Sequence, residues 1–279
     1  MLDVKILNSD MLEQLGLTGK EPYEVQLKAF YEQLASEEEY LEWYKEQDLP
    51  TYDKPSVAVD LIALSYSESS GVSLLVIKRK AHPFRNKYAF CGGFLEKSES
   101  LIEACLREVS EEMSLTLDKS RLVQLHPITT PNRDPRTWVI SVPFIVYLTA
   151  EELELAKAGD DALEVCVLEL GRNLNNIEKY KDDFAFDHYQ ILKDAIEGLK
   201  REINYNPTVL AMLPPFTASE GAKLLEVWLG MNIFSNHFYN KYKRYLKPVG
   251  RRKNVGYRPP LEYVYQNPRD EVNYTPLSI

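Results

Sequence analysis

"GFLEKSESLIEACLREVSEEMSL", residues 93–115, gathers Glu108, Glu111 and Glu112 onto about one turn of a helical stretch, with Arg107 beside them. Side chains three or four apart meet on a helix surface, and like charges there cost roughly 0.2–0.5 kcal/mol per pair. Glu108 stands in that relation to both of the other two. A solvated face is the ordinary reading of a charge run. The opposite face, however, is orderly: Ile102, Cys105, Leu106, Val109 and Met113 recur at helical spacing and predict one buried stripe. Ser100 followed by Glu103 can form a capping box, with Ser98 as a competing cap. The carboxylates therefore stand on a well-specified helix anchored in a core. Such a cluster offers the oxygen ligands that a hard divalent cation takes.

The chain has 279 residues, enough for one large domain or two ordinary ones. Its hydrophobic share of 44% and charged share of 27% leave material for a sizeable core. The net charge of −9 is unevenly spread. Residues 1–50 hold 12 acidic and 4 basic residues, whereas residues 235–258 hold 8 basic residues and no acidic one. Different segments thus face different partners. Cys91, Cys105 and Cys166 are far apart without metal-ligand spacing, which predicts a reduced, cytoplasmic compartment. The opening "MLDVKILNSD" does not read as a signal peptide. The most apolar run, "WVISVPFIVYL" at 138–148, is too short to span a bilayer as a helix and predicts a buried strand. No membrane partner is expected.

Residues 22–48 read as helical and acidic, stopping at Leu49-Pro50. "SVAVDLIALSY" (56–66) and "VSLLVIKRK" (72–80), joined by "SESSG", predict a β-hairpin. "YAFCGGFL" predicts a short strand broken by Gly92-Gly93. "LVQLHPIT" predicts a further strand, "TPNRDPR" (130–136) a turn-rich loop, and "LEVCVLEL" one more strand. From about Phe186 the pattern turns helical. "TASEGAKLLEVWLG" carries a cap signal and closes at Gly230, "IFSNHFYNKYKRYL" follows after a short connection, and "KPVGRRKNVGYRPPLEYVY" alternates around a basic tip. Helix, tight turn, helix and basic hairpin is the order of a winged helix-turn-helix. The expected organisation is an acidic helical arm over 1–54, an α/β domain over 55–204 and a winged-helix domain over 205–279.

The spacing of Gly93, five residues, Glu99, seven residues and then Arg107-Glu108-Val109-Ser110-Glu111-Glu112 resembles the box of the Nudix hydrolases, which split nucleoside diphosphates linked to another group. Two positions depart from the box. Ser114 stands where the family has a glycine at the turn ending the helix, and Cys91 replaces a frequent proline. Neither removes a carboxylate, so an active enzyme is expected. "NRDPR", "AGDDALEV", "FAFDH", "LPPFTASE" and the C-terminal segment resemble the subgroup of ADP-ribose pyrophosphatases and Nudix-related transcriptional regulators of NAD metabolism.

The resemblance implies an α+β fold: a Nudix α/β/α sandwich with a mixed sheet, followed by a winged helix. It implies that Glu108, Glu111 and Glu112, with the backbone carbonyl of Gly93, hold Mg²⁺ or Mn²⁺, and that Glu99 supports the site. Arg107 lies four residues before Glu111 and can fix it by an ion pair. Glu164, after "AGDD", is the candidate proton acceptor, with a box glutamate as the other. Arg79 is the one residue of Lys78-Arg79-Lys80 taken to face substrate, since alternation points at most one face of a strand inward. Arg133 and Arg136 suit pyrophosphate or ribose contacts. Bonding to nearby carboxylates is an equal reading for each. Asp187 and His188 suit either capping the helix that follows or touching substrate, and capping is the favoured reading because Asp before a helical run is an ordinary cap.

The function implied is cleavage of ADP-ribose, or a close relative, to AMP and ribose 5-phosphate, by a homodimer. The alternative is a DNA-binding regulator that senses such a nucleotide. For that role Lys241, Lys243 and Arg244 would lie on the recognition helix and Arg251, Arg252 and Lys253 at the wing tip, where lysine and arginine suit phosphate contacts. A winged helix kept for structure or dimerisation, with a solvated basic face, is an equal reading. Asn236, His237 and Asn240 are candidates for base readout by chemistry alone.

Overall fold

The computed structural model describes residues 7–47, 52–158, 162–253 and 259–267, which fall into two compact units, 1–53 and 54–279. The first unit holds α1 (Ser9–Gln14), α2 (Tyr23–Gln33) and α3 (Glu37–Glu46). The acidic stretch is thus not one helix. Ser36 and Glu39 form a capping box that starts a new helix after Ala35. Phe30, Tyr31 and Trp43 are buried together, with Tyr31 stacked on Trp43 at 4.9 Å.

The second unit is built on a mixed sheet. Its strands are β1 (Ser56–Ser67), β2 (Gly71–Arg79), β3 (Tyr88–Ala89), β4 (Val123–Gln124), β5 (Val139–Leu148) and β6 (Ala162–Gly171). β1 and β2 form the predicted hairpin, while β1 and β5 run parallel in register from Ser56↔Val139 to Ser65↔Leu148. The order is β3-β2-β1-β5-β4, with β6 paired to β2. "LVQLHPIT" contributes only the two residues of β4 and a bridge at Ile128, because Pro127 has no N–H to give a ladder.

Both faces of the sheet are covered. On one side Leu75, Ile77 and Phe144 pack against Cys105, Val109 and Met113 of α4 (Leu101–Met113), with α5 (Ala150–Leu155) beside it. On the other, Ile62, Leu74 and Val76 pack against Ile191, Leu192 and Ile196 of α6 (His188–Glu202). This is an α/β/α sandwich.

α6 leads into β7 (Phe216–Thr217), α7 (Ala218–Leu229), α8 (Ser235–Tyr242), β8 (Leu246–Arg251) and β9 (Leu261–Tyr265). The small sheet has the order β7-β9-β8, so helix, helix and hairpin form a winged helix-turn-helix. Its buried Leu224, Trp228, Phe238 and Tyr242 belong to the same core cluster as Ile62 and Leu74 of the large sheet. Among the described residues no helix is long and apolar enough to cross a membrane.

Candidate active site

α4 is held at both ends. Ser100 and Glu103 form the predicted capping box at its start. Ser114 closes it in the left-handed region (φ 55°, ψ 28°), so the departure from glycine leaves the turn intact and strains one residue. The buried stripe of Cys105, Val109 and Met113 fixes the rotation of the helix.

That rotation turns Glu108 and Glu112 into a cleft also lined by Arg79, Lys80, Gly93 and Arg136. Glu112 is buried and accepts the N–H of Gly92 at 3.0 Å. Glu108 lies against Gly93 so tightly that a Cβ there would stand 2.0 Å from Glu108 Oε1. Burial first, and the neighbouring carboxylates after it, push the Glu108 carboxyl above its ordinary range, against the pull of Arg107. The Gly93 carbonyl accepts the N–H of Val59 at 2.9 Å and keeps a second lone pair.

Arg107 is the counter-charge of the whole cluster. It holds Glu99 through Nε at 3.0 Å and Nη2 at 2.7 Å, Glu108 through Nη1 at 2.7 Å and Glu111 through Nη1 at 3.3 Å. The expected pair with Glu111 is therefore its weakest contact. The fork to Glu99 dominates and holds the Glu99 carboxyl below its usual range. Glu111 remains largely exposed. With the carboxylates drawn to Arg107 and Gly92, no group of three or more His, Cys, Asp or Glu closes on one point among the described residues. The donor set is nevertheless three carboxylates and a carbonyl, the chemistry that suits a hard divalent cation.

A second, narrower chamber continues from the cleft past Gly93, Phe94 and Arg136 to Asp60, Arg133 and His188. Arg136 forks onto Asp134 and lies over the rings of Phe94 and Phe186, at 5.5 and 5.7 Å, while Arg79 lies over Phe186 at 5.0 Å. Phe186 has φ 52°, a conformation a bulky residue rarely adopts. Arg133 forks onto Asp187 at 3.0 and 2.7 Å and lies 3.7 Å from Asp60. Carboxylate bonding and a place at the pocket thus coincide for both arginines.

Three expectations need correction. Asp187 precedes α6 but makes no cap hydrogen bond, because its carboxylate is taken by Arg133. Glu164 lines neither chamber. It stands on β6 with Lys78 at 3.9 Å, on the sheet face opposite α4. The loop before it, 159–161, lies outside the described residues. Lys80 reaches the cleft together with Arg79, since β2 ends at Arg79 with a register shift and alternation no longer applies.

The basic C-terminal segment is also differently employed. α8 ends at Tyr242, so Lys243 and Arg244 fall in the turn after it. Lys241 donates to Asn204 at 2.6 Å, and Arg244 donates to the Tyr205 carbonyl and the Tyr245 hydroxyl. Arg252 forks onto Glu220 at 2.6 and 2.8 Å and reaches Glu262 at 2.7 Å, leaving little of it for a phosphate. Arg251 donates to Pro259, and Lys243, Lys247 and Lys253 are exposed. Residues 254–258 lie outside the described residues.

Asp60, Phe94 and Phe186 line the pocket without having been singled out as its ligands in the sequence, and His188, for which substrate contact was the less favoured reading, lines it with them. The available signal was Asp60, the one charge within the apolar run 56–66.

The class that the sandwich and its glutamate helix define is named by its likeness to known proteins. The NUDIX domain profile matches residues 54–190. The chain is 40% identical over 153 residues to an ADP-ribose pyrophosphatase of Methanocaldococcus jannaschii, covering 54% of this chain and 80% of that protein. It is 26% identical over 234 residues to the ADPR responsive transcriptional repressor NtrR of Acinetobacter baylyi, covering 82% and 88%. A MutT/nudix family protein from Enterococcus faecalis shares the fold at TM-score 0.75 and 31% identity, over 88% of this chain and 100% of that one. Shewanella oneidensis NrtR shares it at TM-score 0.63 and 24% identity, over 76% and 94%. The chain belongs to the Nudix hydrolase family.

Proposed function

We propose that the protein is a divalent-metal-dependent pyrophosphohydrolase acting on ADP-ribose. The carrying observation is that Glu108 and Glu112 face one cleft with Gly93, Arg79 and Arg136. The 40% identity to an ADP-ribose pyrophosphatase supports the substrate. In this reading Glu108, Glu111, Glu112 and the Gly93 carbonyl would hold Mg²⁺ or Mn²⁺, which when bound would neutralise phosphate charge and make water more acidic. Arg107 and Glu99 keep the carboxylates ordered. Arg79 and Arg136 stabilise the diphosphate. The water oxygen joins one phosphorus and the bridging oxygen leaves with the other phosphate, giving AMP and ribose 5-phosphate. With Glu164 away from the cleft, a box glutamate is the proton acceptor.

AMP release from ADP-ribose with Mg²⁺ tests this. Glu112→Gln should lower kcat by roughly a hundredfold or more while the fold stays intact. Full activity in that variant would overturn the site assignment.

A second reading has its own observation: exposed Lys243, Lys247, Arg251 and Lys253 on a winged helix, in a chain related over 82% of its length to a transcriptional repressor. DNA binding by a homodimer would then accompany catalysis, with residues 205–279 as the DNA-binding part. Affinity should fall steeply with salt, and a flat response in a filter-binding titration would count against it.

A further inference from the structure

We propose that Asp60, Arg133 and His188 form a specificity subsite that accepts an uncharged, hydroxyl-bearing end group of the diphosphate and rejects an anionic one. This rests on the reading above, in which the diphosphate lies against the glutamate helix.

The two chambers differ in size. The one beside Glu108 and Glu112 holds about 410 Å³, and the one ending on Asp60 about 60 Å³. They share Arg79, Gly92, Gly93, Phe94 and Arg136, so a diphosphate at this neck would send its smaller end group toward Asp60.

The floor of the narrow chamber is polar and buried. The side chains of Asp60, Arg133 and His188 are 10%, 5% and 6% exposed. Buried polar groups normally have partners, and each of these three has one function satisfied and one left over. His188 Nδ1 accepts the Phe90 N–H at 3.0 Å, so the neutral ring carries its proton on Nε2. That nitrogen lies 3.5 Å from Asp60 Oδ1, too far for an ordinary hydrogen bond. Asp60 Oδ2 takes the Ser141 hydroxyl, which leaves Oδ1. Arg133 commits Nε and Nη2 to Asp187, and its Nη1 makes no hydrogen bond among the described residues. One carboxylate oxygen, the His188 Nε2–H and the N–H groups of Arg133 Nη1 thus remain. A sugar hydroxyl both donates and accepts, and vicinal hydroxyls would satisfy such a set.

Charge supplies the rejection. Two carboxylates, Asp60 and Asp187, face one guanidinium, Arg133. Burial lowers the His188 pKa and keeps the ring neutral. Arg136 is already matched by Asp134. A phosphoryl group moving past Arg79 at the neck would meet a floor of two carboxylates and one guanidinium, an obstacle that discriminates against a nucleoside triphosphate.

The test is steady-state kinetics with Mg²⁺ on three compounds that share the AMP half: ADP-ribose, the β-methyl ester of ADP, and ATP. The wild type should prefer ADP-ribose to the methyl ester by roughly ten- to a hundredfold in kcat/KM, mostly through KM, with ATP poorest. Asp60→Asn should lose at least tenfold more on ADP-ribose than on the methyl ester, and should narrow the gap to ATP. Equal cleavage of ADP-ribose and methyl ester by the wild type would overturn the subsite and leave the proposed activity standing. So would an equal loss on all three compounds in the variant, the mark of a merely structural aspartate. The wild-type comparison needs no variant and decides even where Asp60→Asn does not fold. If the wild type cleaves none of the three, the catalytic reading falls, and calorimetric binding of the same compounds, in the same order of affinity or not, still decides the subsite.

Discussion

Adjacent glycines at 92 and 93 do different work. A Cβ on Gly92 would stand 2.0 Å from the Val59 carbonyl oxygen, which belongs to a buried strand and cannot yield. A Cβ on Gly93 would meet the far end of the Glu108 side chain, which can swing away. Gly92→Ala should therefore lower the melting temperature, by several degrees for a cost of a few kcal/mol. Gly93→Ala should melt nearly as the wild type and lose roughly a hundredfold in kcat, since about 1 Å of misplacement costs that much. Thermal melts and AMP-release rates on the two variants check the pair. The acidic cluster and its arginine were legible in the sequence because their spacing is local. The fork from Arg107 to Glu99, the Asp187–Arg133 pair and the place of Glu164 were not. Each depends on which way a side chain turns once distant segments meet. Asp187 shows this best, since its position before a helix is that of a cap and a guanidinium 54 residues earlier in the chain captures it instead.

At the scale of elements, α4 was the easiest to read, having a capping box and an apolar stripe. Removing the cap in Ser100→Ala should cost about 1 kcal/mol. Ser114→Gly should gain about 0.5–1 kcal/mol by relieving the left-handed residue. Urea unfolding of both should show these opposite signs. The winged helix was legible as an order of elements, whereas its basic residues were read as a free face and several proved to be internal ties. Arg252 joins β9, through Glu262, to the first turn of α7, through Glu220. Its hydrogen bonds, more than any other influence, lower the Glu220 pKa below the ordinary 4.5. A depressed carboxylate stabilises above its unfolded value and loses that contribution as pH falls through the folded one. Arg252→Gln should thus destabilise by about 1–2 kcal/mol at neutral pH, for a forked pair about a third exposed. The gap to the wild type should close below about pH 4.5. A gap independent of pH would assign Arg252 to packing instead.

At the scale of the whole molecule, periodicity and turn residues foretold the strands and the order of the winged helix, and the resemblance to the Nudix box foretold the sandwich. The sharing of one core between them was not legible, because no local pattern records which distant faces meet. Leu224, Trp228 and Phe238 are buried in a cluster with Ile62, Leu74 and Ile191. Residues 54–279 should therefore melt in a single transition by calorimetry and by near-UV circular dichroism, and two separated transitions would contradict a common core. The shared core has a thermodynamic consequence for anything bound at the glutamate cleft. A ligand that binds only the folded state raises the unfolding free energy of the entire cooperative unit by RT ln(1 + [L]/Kd). Amides deep in α7, which exchange with deuterium only when that unit opens, would slow by the same factor as amides in β1. The winged helix would register the nucleotide in its exchange rates without changing its shape.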